Sequence, residues 1–163
     1  MKILAVGDIV GESGVRKLKE VLPVIKKQEE IDFVITNGEN SAGGMGITEK
    51  NFNDLINEGV DVVTMGNHTW GKKEIFSFID EPKLIRPANY PKSVCGKGYN
   101  IYKCKNKKIA VINALGRAEI NIMLDNPFEV VKQIVEIVKK EADIIMFDFH
   151  AEATAEKKLW HIT

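Results

Sequence analysis

Short apolar runs alternate with stretches of helical spacing along most of this chain. Ile3-Leu4-Ala5-Val6, Phe33-Val34-Ile35-Thr36, Val62-Val63-Thr64-Met65 and Ile144-Ile145-Met146-Phe147 are almost unbroken, as strands buried on both faces are. They predict strands over residues 2–7, 32–37, 61–65 and 143–149. Val15, Leu18, Leu22 and Ile25 recur at the spacing of one apolar helix face, which predicts a helix from about Val15 to Glu29 with a kink or break at Pro23. Gly11-Glu12-Ser13-Gly14 before it reads as a loop. Thr48 is placed to cap a helix over Glu49–Glu58 that Gly59 ends. Strand–helix alternation of this kind marks βαβ units and a parallel sheet, so the fold class is α/β.

Beyond the third strand the pattern loosens. A short helix is expected over Lys72–Ile79, then an irregular stretch punctuated by Pro82, Pro87 and Pro91. Tyr99–Cys104 and Lys108–Asn113 form a hairpin candidate through Lys105-Asn106-Lys107. Phe128, Val131, Ile134, Val135 and Val138 make a second helical stripe, and Glu152–Leu159 has helical composition. No internal repeat or linker interrupts the chain. One layered domain over residues 1–163 is the expectation.

Composition narrows the class of partner. The 163 residues are 44% apolar and 28% charged with zero net charge, which gives no electrostatic case for non-specific nucleic-acid or membrane binding. No run approaches the ~20 apolar residues that span a bilayer, and the N-terminus enters a strand-like run without a signal-peptide layout. Cys95 and Cys104 are not at CxxC spacing and are expected as free thiols in a cytoplasmic protein.

Polar residues at the ends of the apolar runs carry the chemistry. Asp8 follows the first, Gly38-Glu39-Asn40-Ser41 the second, Asn67-His68 the third, and Asp148-Phe149-His150 closes the last. In open α/β sheets ligands collect outside the carboxyl ends of the strands. Carboxylate, amide and imidazole donors together suit divalent Fe, Mn or Zn. Taken singly, Asp8 also reads as a helix or turn cap, Gly66-Asn67-His68 as a turn, and His150 as a rim histidine. Glu39 resists such a reading, because turns after buried strands prefer Asp, Asn and Gly. A dinucleotide-binding alternative fails on spacing, since Gly7-Asp8-Ile9-Val10-Gly11-Glu12 is not GxGxxG.

Four blocks also carry a family resemblance. Gly7-Asp8-Ile9-Val10-Gly11, Asn37-Gly38-Glu39-Asn40-Ser41-Ala42-Gly43-Gly44, Gly66-Asn67-His68-Thr69-Trp70 and Asp148-Phe149-His150-Ala151-Glu152-Ala153-Thr154 resemble the YmdB-like bacterial metallophosphoesterases, 2′,3′-cyclic-nucleotide phosphodiesterases of the calcineurin-like superfamily. The likeness covers the chain to about Lys158. It implies a layered αββα sandwich and hydrolysis of small phosphodiesters, such as cyclic nucleotides, by a metal-bound hydroxide. Two divalent metals are implied, iron first and manganese or zinc as alternatives. Asp8 would bind one metal, Glu39 would bridge, Asn67 and His150 would bind the second, and Asn40 would lie among or beside the ligands. His68 would be the acid that protonates the leaving oxygen, and Thr69, Trp70 and the Gly43–Gly46 loop would shape the substrate pocket.

One departure from the family shapes the remaining expectations. Relatives continue for about a hundred residues, through a Gly-Thr-His-Thr-His block that supplies two further metal-binding histidines, and this sequence lacks that block. His161 is taken as a chance match to it. The resemblance thus implies an incomplete domain with exposed apolar surface that invites homo-oligomerisation. The competing expectation is a truncated, catalytically impaired member with weak metal binding or a role in association.

Overall fold

The computed structural model describes residues 1–160, so His161 lies outside the described residues. The chain divides into two compact units, Met1–Leu84 and Ile85–Thr163.

In the first unit β1 (Ile3–Val6), β2 (Phe33–Asn37) and β3 (Val62–Thr64) are parallel neighbours, with Ile3 opposite Phe33 and Ile35 opposite Val62. Parallel pairing follows from the crossovers α1 (Gly11–Gln28) and α2 (Glu49–Asn57), since each returns the chain to the same starting edge. The carboxyl ends of three strands therefore share one edge. Val15, Leu18 and Leu22 of α1 and Phe52 and Leu55 of α2 form one core with Val34 and Val63. Thr48 caps α2, its side chain accepting from the Asn51 N–H at 3.1 Å.

Two expectations about α1 are corrected. Gly11–Gly14 is the first turn of the helix rather than a loop, and of the kink or break expected at Pro23 the break is absent, since the helix runs on to Gln28. Gly14 signals close packing here, because a Cβ there would sit 3.1 Å from Ile9 Cγ2. Pro23 removes one helical N–H, but Val15, Leu18 and Leu22 are buried on the helix's inner face, which outweighs a single lost bond. The short helix α3 is confined to Ile75–Phe78, and a two-residue strand, β4 (Leu84–Ile85), lies within the stretch expected to be irregular.

The second unit holds β5 (Tyr99–Cys104), β6 (Lys107–Leu115) and β7 (Ile144–His150), in that order. β5 and β6 form the expected antiparallel hairpin, while β6 and β7 are parallel and joined through α4 (Pro127–Val138). Val131, Ile134 and Val138 of α4 pack on Ala110, Ile112 and Ala114. A last helix, α5 (Thr154–Leu159), leads to Trp160, which stacks on Phe128 at 4.5 Å and meets Phe147 edge-on at 4.7 Å. Cys95 and Cys104 are both free thiols, as expected.

Asp143 fastens the start of β7 to β6. Its carboxylate accepts from the Lys108 N–H at 2.8 Å and meets Lys107 Nζ at 3.1 Å. The Lys108 backbone bond, then the Lys107 side chain, hold its pKa below the usual aspartate value. A carboxyl depressed in the folded state adds stability above its unfolded pKa and loses it as pH falls through the folded one. Asp143→Asn should therefore lower stability to urea near neutral pH, with the gap from wild type closing as pH falls through and below the ordinary aspartate range. A gap independent of pH would show that the charge contributes nothing.

Candidate metal centre

The loops that leave the shared edge of β1, β2 and β3 are tied together by their backbones. Ile9 N–H donates to Asn37 O at 3.1 Å and Gly11 N–H to Asn40 O at 2.8 Å, which fixes the Asp8 loop against the Glu39 loop. Gly38 N–H donates to Thr64 O at 3.0 Å, tying the end of β2 to that of β3. A Cβ on Gly38 would stand 2.8 Å from Val63 Cγ1, so only glycine lets the Glu39 turn sit this low on the sheet. Asn37 Oδ1 then accepts the Glu39 N–H at 3.1 Å, and Asn51 Nδ2 from α2 donates to Ser41 O at 2.8 Å. Neither of these last two amides is given a role of its own in the sequence expectations. Asn51 leaves one trace, an amide on the apolar face beside Phe52 and Leu55.

Four of the six expected site residues meet directly within this unit. Asn40 Nδ2 donates to Asp8 Oδ2 at 2.7 Å and lies 3.4 Å from Glu39 Oε1. Asn40 Oδ1 and His68 Nδ1 are 2.6 Å apart, and His68 N–H donates to Glu39 Oε2 at 3.0 Å. Glu39 is 1% exposed and lies 3.7 Å from His68 Nδ1 through its other oxygen. Asn40, expected among or beside the metal ligands, is the hub of these contacts.

The hub settles the histidine tautomer. An amide oxygen only accepts, so His68 Nδ1 carries a proton toward Asn40, and Nε2 is the ring nitrogen that this hydrogen bond leaves unused. Asn67 is half-buried in the turn that follows β3, where Thr69 Oγ1 donates to Gly66 O at 2.6 Å and Gly71 N–H to His68 O at 2.9 Å. His150 belongs to the second unit, as the half-buried last residue of β7, paired with Leu115 of β6.

The donors suit a divalent cation. A buried carboxylate, an exposed one and an amide that links them are oxygen-rich, and a buried carboxylate is costly unless positive charge or donors compensate it. Among the described residues no three His, Cys, Asp or Glu side chains are arranged as a complete ligand set by themselves.

A family model, that of the YmdB-like protein, matches residues 4–163. The chain belongs to the YmdB-like family. It is 48% identical over 158 residues to the 2′,3′-cyclic-nucleotide 2′-phosphodiesterase of Bacillus subtilis, a match that covers 96% of this chain and 60% of that protein. The crystal structure of a novel phosphatase from Mycoplasma pneumoniae superposes with a TM-score of 0.91 at 34% identity, covering 99% of this chain and 59% of that one. NAD nucleotidase of Haemophilus influenzae shares the fold at 15% identity and a TM-score of 0.67, covering 97% of this chain and 39% of that one. This member of the family thus spans about 60% of the length of the curated relative it matches. Its fold is mixed α/β with a parallel sheet, in agreement with the sequence expectation. Among the described residues no helix is long and apolar enough to cross a membrane.

Proposed function

We propose that this chain carries the metal-dependent phosphodiesterase site of the family and acts on small phosphodiesters such as 2′,3′-cyclic nucleotides. The observation that carries this reading is the Asp8–Asn40–His68 relay with Glu39 buried beneath it, at the carboxyl edge of three parallel strands. The chain's 48% identity to the 2′,3′-cyclic-nucleotide 2′-phosphodiesterase of Bacillus subtilis supports it. Asp8, Glu39, Asn67 and His150 would hold two divalent cations, iron first with manganese or zinc as alternatives. His150 enters this set through its motif and its place at the end of β7. The cations would supply Lewis acidity at phosphorus and acidify a coordinated water.

The chain's own groups have separable tasks. Asn40 holds the His68 ring by Nδ1, which orients Nε2. As an imidazolium, with Nδ1–H held by Asn40, His68 would pass its second proton, on Nε2, to the leaving oxygen, general acid catalysis of a kind worth about 10²–10⁴-fold. Glu39 fixes the backbone at His68 and so sets the distance between imidazole and carboxylate. The same reading takes residues 1–163 as one metallophosphoesterase domain, working in the cytoplasm and able to form homo-oligomers.

The test is metal loading followed by turnover. Purified chain incubated anaerobically with Fe²⁺, or with Mn²⁺, should bind two ions by elemental analysis and open 2′,3′-cyclic AMP at the bond to the 2′-oxygen. Less than one ion per chain and no turnover would leave the association role as the surviving reading.

A further inference from the structure

Arg86 is a buried arginine with no carboxylate beside it. It is 6% exposed, and its guanidinium donates from Nε to Cys95 O at 2.8 Å and from its two terminal nitrogens to Pro87 O at 2.7 Å and Val94 O at 2.9 Å. All three acceptors are neutral backbone carbonyls, and among the described residues no acidic side chain pairs with it. A guanidinium has five N–H bonds. Three are used here, so two remain. Burial pushes its pKa below the usual arginine value, the same desolvation seen from the proton's side.

Arg86 also lines a cavity of about 300 Å³ built wholly from the second unit. Val130, Ile134 and Ile137 of α4, with Ala88 and the rings of Tyr90 and Tyr99, give the lining its apolar part. Lys92 and Asp125 add one charge of each sign, so Arg86 leaves the lining with a single net positive charge. Buried charges in proteins are paired or bound to ligands, and a planar fork of N–H bonds matches a carboxylate better than any neutral group.

We propose that this cavity binds a small amphipathic monocarboxylate, its carboxylate taken by the two remaining N–H bonds of Arg86 and its hydrocarbon body by the α4 residues. The volume sits at the lower end for small-molecule sites, which limits the ligand to the size of benzoate or a short-chain acid. Asp125 disfavours a dianion such as phosphate. The inference stands apart from the phosphodiesterase reading, because no residue of the proposed metal centre takes part in it. A role confined to stapling residues 87–95 through three carbonyls would require no ligand, and the two accounts separate by experiment.

The ¹⁵N-labelled chain is titrated with benzoate, benzyl alcohol and inorganic phosphate. Benzoate should give saturable shifts at the amides of Ala88, Gly98, Val130 and Gln133. Benzyl alcohol, of the same shape without the charge, should bind at least about tenfold more weakly. Gln133 is an exposed lining residue of α4, so Gln133→Glu should fold normally and weaken benzoate about fivefold by like-charge repulsion. Arg86→Lys, which keeps charge but loses the fork, should lose benzoate binding; if it does not fold, the Gln133 variant alone decides. Absence of saturable shifts, equal binding of benzyl alcohol, tighter binding of phosphate, or indifference to Gln133→Glu would each overturn the proposal.

Discussion

Glu39→Gln is expected to lower divalent-metal affinity at least about a hundredfold while leaving the metal-free chain no less stable than wild type. The first half follows from chemistry. Glutamine keeps the shape and one acceptor oxygen, so the His68 N–H at 3.0 Å can stay bonded, but it is a neutral and far weaker ligand. The second half follows from burial. Glu39 is 1% exposed, and taking a carboxylate out of water costs several kcal/mol before its partners repay any of it. A residue kept for stability would make the variant weaker in the absence of metal. A residue kept for a ligand at stability's expense makes it equal or stronger. Wild type should also gain about 2.7 kcal/mol of unfolding free energy when free metal reaches about 100 times its dissociation constant, a gain the variant would lack. Urea unfolding with and without Mn²⁺ reads both halves. A metal-free Glu39→Gln chain that unfolds earlier, yet is stabilised by Mn²⁺ as much as wild type, would remove Glu39 from the metal centre.

That Asp8 and Glu39 stand at one sheet edge was legible in the sequence; how they are wired was not. Both announced themselves because a polar group directly after a buried strand has only the sheet edge to occupy. Asn40 could not be ranked that way. Its role depends on the turn at Gly38, where contact with Val63 permits no side chain, and on the Gly11–Asn40 backbone bond that brings Asp8 into reach. Neither contact is local in sequence. The misreading of Gly11–Gly14 has a similar cause. Glycine signals either a turn or a close approach, and only the position of Ile9 distinguishes the two. Arg86 is the clearest omission. An arginine beside Pro87 reads as an exposed loop residue, and nothing nearby in the chain shows that three carbonyls up to Cys95 will enclose it.

Gly98→Ala is expected to destabilise the second unit by about 3 kcal/mol or more, at the upper end of what overpacking costs. A Cβ at Gly98 would lie 2.4 Å from Ala88 Cα and 2.5 Å from Ala88 Cβ. The first of these is backbone, so no rotamer change relieves it. Neither segment is free to retreat. Arg86 N–H donates to Lys97 O at 2.9 Å, Ala88 N–H to Asn113 O at 2.8 Å, and Asn113 N–H to Gly98 O at 3.1 Å, so Ala88 and Gly98 are both bonded to the same residue of β6. Gly7→Ala is the matched control, with no heavy atom within 4 Å of its would-be Cβ and no positive φ to strain. It should fall within about 1 kcal/mol of wild type and on the stabilising side, through the stiffer unfolded chain. Trp160, packed against Phe128 and Phe147, reports on this unit by fluorescence once Trp70 is replaced by Phe. In that background the urea midpoint followed by Trp160 should fall sharply for Gly98→Ala and barely move for Gly7→Ala. Equal midpoints for the two variants would mean that the Ala88 segment yields at little cost, and that the bonds through Asn113 do not hold it in place.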